Sequence, residues 1–221
     1  MFSGIADRYD LLNTLMSLSR HRAWRRAAVA QAEVRPGDAV LDVCAGTGDF
    51  AIEASRAAGP SGIVVASDFC LPMLARTPGK ALAKAAAPVT CVVADALRLP
   101  FAAASVDRVT VGFGIRNVAD TGQAFREMAR VLRPGGRAVC LEFAVPSNRL
   151  VRWAVRCYEA TLPALGGLLS TREAYAYLPA SIEAFHSREE LAAIMREAGF
   201  RQVRLRDLNL GSVCIHTGVK P

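Results

Sequence analysis

The sequence predicts a doubly wound α/β fold: a mostly parallel sheet covered by helices on both faces and closed by an antiparallel C-terminal hairpin. Three observations predict it. Short, continuously apolar strand-like runs alternate with helical stretches, and strands that are apolar on both sides are buried on both faces. The first such run passes through a glycine-rich turn into a helix. The last two runs are separated only by Asn209 to Gly211, which is too short for a crossover and suits a hairpin.

In chain order, an amphipathic helical region comes first, with Leu12, Leu15 and Met16 leading into "SRHRAWRRAA" (Ser19 to Ala28). "DAVLDVC" (Asp38 to Cys44) is the first strand, followed by the turn and the helical "DFAIEASRAA". "GIVVASD" (Gly62 to Asp68) is the second strand, with "CLPMLARTPGKALAKAAA" behind it as one helix. "VTCVVAD" (Val89 to Asp95) and "VDRVTVGF" (Val106 to Phe113) are the third and fourth. The helical "TGQAFREMARVLRPGG" stops at Pro134 and Gly135-Gly136, and "RAVCLEF" (Arg137 to Phe143) is the fifth strand. A helical region from about Leu150 to Tyr177, the helix "SREELAAIMREAGF", and the strands "RQVRLRD" and "SVCIHTG" complete a sheet of seven. Right-handed crossovers between parallel strands make the whole doubly wound.

A chain of 221 residues carries one sizeable core, so a single domain is expected, and 52% hydrophobic with 21% charged residues is an ordered globular composition. The net charge of +7 invites a nucleic-acid reading. The densest basic cluster, however, places Trp24 among Arg20, Arg22, Arg25 and Arg26 on one helix. That pattern fits transient contact with an anionic membrane surface, or a solvated helix face closing over a neighbouring site, and no nucleic-acid partner is expected. The cysteines at 44, 70, 91, 140, 157 and 214 form no C-x-x-C pair and read as reduced residues of a cytoplasmic protein. "MFSGIADRYD" contains no signal-like apolar run. The stretch Trp153 to Leu169 is interrupted by Arg156, Glu159, Pro163 and Gly166-Gly167 and falls short of a spanning helix. Nothing has metal-ligand spacing.

In "LDVCAGTGDF", Gly46 and Gly48 let the backbone approach a ligand at a helix N-terminus. With Ala51 they also satisfy G-x-G-x-x-G/A, and Asp68 lies about 20 residues on, where an acid bonds a ribose. The turn therefore suits either a nicotinamide dinucleotide or S-adenosylmethionine. The acids decide between them. Asp42 before the turn and Asp49 at the helix start would repel a pyrophosphate but suit the ammonium of a methionine moiety. Asp95, followed by Ala96, closes the third strand where an acceptor could pair with an adenine amino group. Together they favour S-adenosylmethionine.

"LDVCAGTGD", "ASDFCLPML", "ADALRLPF", "LRPGG" and the closing hairpin resemble the motifs of class I S-adenosylmethionine-dependent methyltransferases, which have a Rossmann-like fold. More narrowly, "RYDLLN", "FGIRNVAD", "LEFAVP", "YAYLPASIEAF" and "HTGVK" resemble the quinone C-methyltransferase family of menaquinone and ubiquinone biosynthesis, and the resemblance runs from Phe2 to Lys220. It implies donor contacts from Thr47, Asp68, Asp95, Ala96 and Gly112, to which the turn adds Asp42, Gly46 and Gly48 and the strand end adds Phe69. The chain departs from the pattern at Cys44, often Gly, at Gly112, often Ser, and at His186, often Pro. It opens close to the family motif, from which a late start or trimming is expected.

A quinol ring carbon becomes nucleophilic when its neighbouring hydroxyl, with a pKa of about 10, loses a proton, and an adjacent cation lowers that pKa. Arg116 and Asn117, on the loop after the fourth strand, are the expected catalytic pair, with Arg116 stabilising the phenolate or orienting a water. The plain alternative for Arg116 is a salt bridge to Asp120. Tyr9, Asp10 and Asn13 are expected to cap the first helix or close over the donor as a lid. Tyr175 and Tyr177 are expected to line the acceptor pocket, with Trp153 to Leu169 shaping the entrance for a prenyl tail. His216 either relays a proton to substrate or is a satisfied structural histidine.

The expected organisation is a helical lid over 1–34, a donor-binding core over 35–143, an acceptor-side helical segment over 144–186, and a closing helix and hairpin over 187–221. The expected reaction is C-methylation of demethylmenaquinol to menaquinol. The alternatives are the benzoquinol step of ubiquinone synthesis and a diverged small-molecule methyltransferase. From other classes, an NAD-dependent oxidoreductase and a catalytically silent partner subunit remain. A homo-oligomer and peripheral attachment at the inner face of the membrane are compatible with this reading.

Overall fold

The structure, a computed structural model, describes residues 9–166 and 179–221. Seven strands form one sheet: β1 (Ala39–Val43), β2 (Ile63–Asp68), β3 (Val89–Val93), β4 (Val106–Gly112), β5 (Leu132–Phe143), β6 (Arg201–Leu208) and β7 (Val213–Val219). Their order is β3-β2-β1-β4-β5-β7-β6. The strands from β3 to β5 pair in parallel, while β7 pairs antiparallel with both β5 and β6. The chain runs outward from β1 to β3 and returns to β4 on β1's other side. The β1/β4 gap is therefore the point where connections diverge, and a crevice opens at the strands' carboxyl ends.

The helices are α1 (Tyr9–Met16), α2 (Arg20–Ala32), α3 (Asp49–Ala58), α4 (Leu71–Leu74), α5 (Thr77–Lys84), α6 (Thr121–Val131), α7 (Arg149–Gly166) and α8 (Arg188–Glu197), of which α2 to α6 and α8 pack on the two faces of the sheet. Strand side chains alternate between faces. Leu41, Val43, Val109, Val111, Ala138 and Cys140 pack with Phe125 and Met128 of α6 and Leu191 and Met195 of α8. Val40, Val64, Ala66, Val139 and Leu141 pack with Trp24, Ala28 and Val29 of α2 and Phe50, Ala51 and Ala54 of α3. Burying both faces at about 25 cal/mol per Å² explains why the central strands read as unbroken apolar runs.

Three expectations need correction. The helix expected after β2 is two, α4 and α5, because Pro78 in the first turn of α5 has no N–H to bond back to the preceding turn. The helix expected to reach Pro134 ends at Val131, and β5 begins at Leu132, since Pro134 disfavours helical backbone at Arg133. The extra strand length is paired: Gly135 N–H donates to the Lys220 carbonyl at 2.9 Å and Lys220 N–H to the Gly136 carbonyl at 2.9 Å. Finally, α2 is part of the sheet's cover rather than of a lid, with Ala28 and Ala32 fully buried. Of the described N-terminal residues, those of α1 reach the crevice through Asp10, which bonds Thr47 and Lys80. The hairpin forms as expected, with a 3₁₀ turn at Asn209–Gly211 between β6 and β7.

Candidate functional site

The carboxyl ends of β1, β2 and β4 open on a solvent-connected cleft lined by Gly46 and Thr47 of the glycine turn, Asp49, Asp68, Phe69, Met73, Gly112 and Asn117, with Arg25 reaching in from α2. Gly46 (φ +56°) and Gly48 (φ +78°) take left-handed backbone, and Thr77 of α5 fills the space a Cβ at position 48 would need. Cys44 (φ 54°) and Phe113 (φ 58°) adopt the same conformation without being glycine, so the ends of β1 and β4 are among the strained positions of the backbone. Position 44 is where glycine was expected. The cysteine is accommodated because Gly114 opposite it has no side chain.

Asp68 braces this turn. Its Oδ2 accepts from Gly46 N–H at 2.8 Å and its Oδ1 from Cys70 N–H at 2.7 Å. Burial pushes its carboxyl up, and those backbone bonds pull it down, with burial prevailing. A carboxylate has about four lone-pair sites, so Asp68 keeps capacity for a ligand diol while fixing the loop.

Asp42 lies behind the turn, not in the cleft. It is fully buried; its Oδ1 accepts from Thr110 Oγ1 at 2.8 Å and its Oδ2 from Ala51 N–H at 3.0 Å. The expected direct contact between Asp42 and the donor is replaced by this bracing role, because both oxygens already face the protein. Burial pushes its pKa up to about 7, against the lowering pull of Thr110, Arg25 and the Ala51 N–H.

At the other end a chain of charges joins five elements. Lys80 of α5 donates to Asp49 at 2.5 Å, to Asp10 of α1 at 2.6 Å and to Thr47 Oγ1 at 3.0 Å. Thr47 in turn donates to Asp10 at 2.6 Å. Burial works against ionisation of Asp49, but Arg25 at 3.8 Å and Lys80 outweigh it and hold the carboxyl below its ordinary value. Asp10 is thus latched onto the glycine turn. Asn13 accepts at its carbonyl from Ser17 within the helix end. Tyr9 opens α1. Tyr175 and Tyr177 lie outside the described residues.

Behind Arg25 stands His21, which is 5% exposed. Its Nδ1 lies 2.6 Å from Arg25 Nη1, which can only donate, so Nδ1 accepts and the ring proton sits on Nε2, 3.4 Å from Thr14 Oγ1. Burial, then Arg25, lowers the His21 pKa to about 4, so the ring is neutral in the physiological range. Arg25, His21 and Lys80 were missed as site residues; the only sequence signal was the i, i+4 spacing of His21 and Arg25 within a basic run.

The remaining expected residues divide. Phe69 (67% exposed) and Asn117 line the cleft. Asp95, at the end of β3, accepts from Leu97 N–H at 2.9 Å with one oxygen, beside buried Ala96. Gly112 lies at the cleft floor, where an added Cβ would stand 2.6 Å from the Phe50 ring, so this chain uses glycine to make room for Phe50. Arg116 is turned into the protein, its side chain 7% exposed, and its Nη1 donates to buried Glu142 and to the Phe113 carbonyl, both at 2.7 Å. Its partner is Glu142 and not Asp120, which instead caps α6 by accepting from Gln123 N–H. His216 is 1% exposed and its Nε2 donates to the Arg188 carbonyl at 2.9 Å. The relay to substrate expected of it is corrected to a structural role: its strand position aims the ring at α8 and not at the cleft.

The donor set fits S-adenosylmethionine: a carboxylate for ribose at the β2 end, apolar Met73 and Phe69 beside it, and opposite charges for a zwitterion at the β1/β4 end. Two carboxylates in the cleft make a poor pyrophosphate site. Comparisons with known proteins agree. The profile of the ubiE/COQ5 methyltransferase family matches residues 1–220. The ubiquinone/menaquinone biosynthesis C-methyltransferase UbiE of Geobacter sulfurreducens is 45% identical over 222 residues, spanning 100% of this chain and 87% of that protein. The demethylmenaquinone methyltransferase of Mycolicibacterium vanbaalenii is also 45% identical, over 100% of this chain and 93% of that protein. Among solved structures, a SAM-dependent methyltransferase from Aquifex aeolicus superposes with a TM-score of 0.67 at 18% identity, covering 95% of this chain and 96% of that one, a likeness of fold. The chain belongs to the ubiE/COQ5 methyltransferase family.

Two expectations follow from the site's architecture. Because the folded pKa of Asp42, about 7, stands above its unfolded value, its contribution to stability is full below pH 4 and is lost as pH rises through 7. Asp42→Asn should flatten that slope, worth up to about 4 kcal/mol, in urea unfolding between pH 4 and 7.5; an unchanged slope would refute the assignment. Gly112→Ser should destabilise by about 1–3 kcal/mol through overpacking against Phe50, and adding Phe50→Leu should restore the midpoint.

Proposed function

We propose that this member of the ubiE/COQ5 methyltransferase family transfers the methyl group of S-adenosylmethionine to a ring carbon of a prenylated quinol, with demethylmenaquinol giving menaquinol. The observation that carries the reading is a shared cleft: the glycine turn that holds the donor and Asn117 of the "FGIRNV" loop line the same space at the β1/β4 divergence. The relatives' names cover both menaquinone and ubiquinone synthesis, so C-methylation of a benzoquinol is the second reading.

When bound, the donor supplies an electrophilic methyl on its sulfonium. The chain's own contribution is position and proton handling. Thr47, Asp68 and the glycine turn hold the donor, with Asp95 and Ala96 marking the adenine end and Phe69 covering it. Asn117 presents an amide to the acceptor's hydroxyl from the 3₁₀ turn Ile115–Asn117. Arg116 fixes that turn: its main-chain N–H and its guanidinium both reach Glu142, and its Nε reaches Ser181 at 3.3 Å. Burial pushes the Glu142 carboxyl up, while Arg116 restrains it. Because methyl transfer to carbon needs alignment of two bound partners, fixing the acceptor accounts for much of the rate.

A lipid-borne acceptor calls for contact with a bilayer. Leu11, Leu15 and Leu18 on and after α1 are 51%, 49% and 71% exposed, and Leu150 and Trp153 on α7 are 76% and 67% exposed. The Tyr158 hydroxyl ties the two helices by donating to the Met16 carbonyl at 3.0 Å. Exposed Arg20, Arg22 and Arg149 lie close to these apolar side chains in the sequence. Apolar insertion with basic flanks is the physics of interfacial binding, and no described helix is long and apolar enough to cross a membrane.

Arg116→Ala should lose most turnover of demethylmenaquinol while keeping its affinity for S-adenosylhomocysteine; full turnover would overturn the role given to it. In parallel assays with equal prenyl tails, the naphthoquinol should turn over faster than the benzoquinol, and the reverse would favour the second reading. Leu18→Asp with Trp153→Asp should abolish co-sedimentation with anionic vesicles and leave turnover of a short-tailed, soluble quinol intact. Undiminished co-sedimentation would locate the contact elsewhere.

A further inference from the structure

Among the described residues that line the cleft, Arg25 is the single cation, beside Asp49. It is 8% exposed, so its charge is held out of bulk water and has to be matched locally. Asp49 matches it only in part, at 3.8 Å, because the same carboxylate is held at 2.5 Å by Lys80. The guanidinium is fixed at one corner: Nη1 carries the bond to His21 Nδ1 and that to the His21 carbonyl at 3.5 Å, and the group stands 5.7 Å over the Phe113 ring. Among the described residues, Nε and Nη2 make no hydrogen bond, which leaves one edge of a rigid fork open.

His21 explains why that edge is presented. As a neutral ring accepting at Nδ1, it orients Arg25 without neutralising it, and it passes the constraint through Thr14 Oγ1, which donates at 2.7 Å to the Asp10 carbonyl on α1. The cleft's polarity supplies the ligand's direction. Asp68 and Phe69 follow β2 and Asp95 follows β3, so an adenosine lies toward that side. The donor's amino-acid end then points toward β4, where Phe113 and Arg25 meet. An amino-acid carboxylate is planar and takes two parallel N–H bonds from an arginine fork.

We propose that Arg25 is the anchor for the carboxylate of the donor's methionine moiety, with His21 as the residue that positions it. The inference rests on the reading of the cleft as the S-adenosylmethionine site and adds the residue that orients the donor's tail. The neighbouring Asp49 receives the ammonium of the same moiety, so the zwitterion meets opposite charges in the order in which α2 and α3 present them.

The test is calorimetric titration of the full-length wild type, Arg25→Gln and Arg25→Lys with two probes, S-adenosylhomocysteine and 5′-methylthioadenosine, which lacks the amino-acid end. Arg25→Gln should weaken the former by about 10–100-fold, the range of a lost charged hydrogen-bond pair, and leave the latter unchanged. Arg25→Lys, which keeps the charge but not the fork, should fall between, and it carries the same comparison if the glutamine variant does not fold. Equal weakening of both probes would mean that Arg25 only shapes the cleft, and no weakening of either would remove it from the site; both outcomes overturn the proposal. A wild type that fails to bind S-adenosylhomocysteine would instead refute the reading of the cleft itself.

Discussion

The cleft depends on one buried carboxyl. Asp42 sits at the middle of the sheet's carboxyl edge and gathers Thr110 of β4 and the first turn of α3 onto its side chain, while its carbonyl accepts from Ser67 of β2 at 3.2 Å. Three elements that diverge from β1 are thereby held in register where the ligand must lie. Burying a carboxyl is costly, and the cost falls when the group is protonated or fully hydrogen-bonded. The raised pKa is the trace of that compromise. With Asp42 in place, the glycine turn and its strained neighbours Cys44 and Phe113 have a rigid floor.

Above this floor the charges are arranged by tertiary structure. Asp10, Lys80, Thr47, Asp49, Arg25 and His21 come from α1, α5, the turn, α3 and α2, and each opposite charge lies within hydrogen-bonding or near-contact range of the next. Such a network is worth more than isolated surface pairs, because its members are partly buried and mutually oriented. It also ties the position of α1 to the glycine turn that lines the cleft. The residue that closes α1 onto the site, Asp10, touches the same Thr47 and Lys80 that order the turn.

The fold was legible because period and punctuation carry it. Unbroken apolar strands, the short hairpin link and the glycine turn each have a single physical reading, and the breaks missed in the sequence, at Pro78 and Arg133, were matters of where proline permits helix to continue. The cleft's make-up was legible only where backbone chemistry dictates it: Gly46, Gly48, Asp68 and the loop of Asn117. Side-chain direction was not. Nothing local distinguishes Arg25, which faces the cleft, from Arg22 and Arg26, which face solvent, since α2's orientation is decided by burial of Trp24, Ala28 and Ala32. Lys80 stood in an unremarked helical run, and Asp42 stood at the right height on the wrong side of the turn. Arg116 was found by its loop, but its partner, Glu142, lies a whole helix and strand further along the chain.

That partner changes what Arg116 can do. A lone guanidinium about 4 Å from a phenol oxygen, at an effective dielectric of about 20, favours the phenolate by about 4 kcal/mol, and a carboxylate about 3 Å farther away on the same line takes back roughly half. The pair therefore acts on the acceptor as a dipole, stronger than a neutral amide and much weaker than a free cation. What it gives in exchange is rigidity, because a buried ion pair that also binds three backbone groups has few alternative geometries. The loop after β4 is thus better suited to holding an acceptor ring at a fixed distance and angle from the donor than to ionising it unaided. On the function proposed above, ionisation then falls to the sum of Asn117, the dipole of the pair and the solvent-connected cleft, acting on reacting atoms that are already aligned.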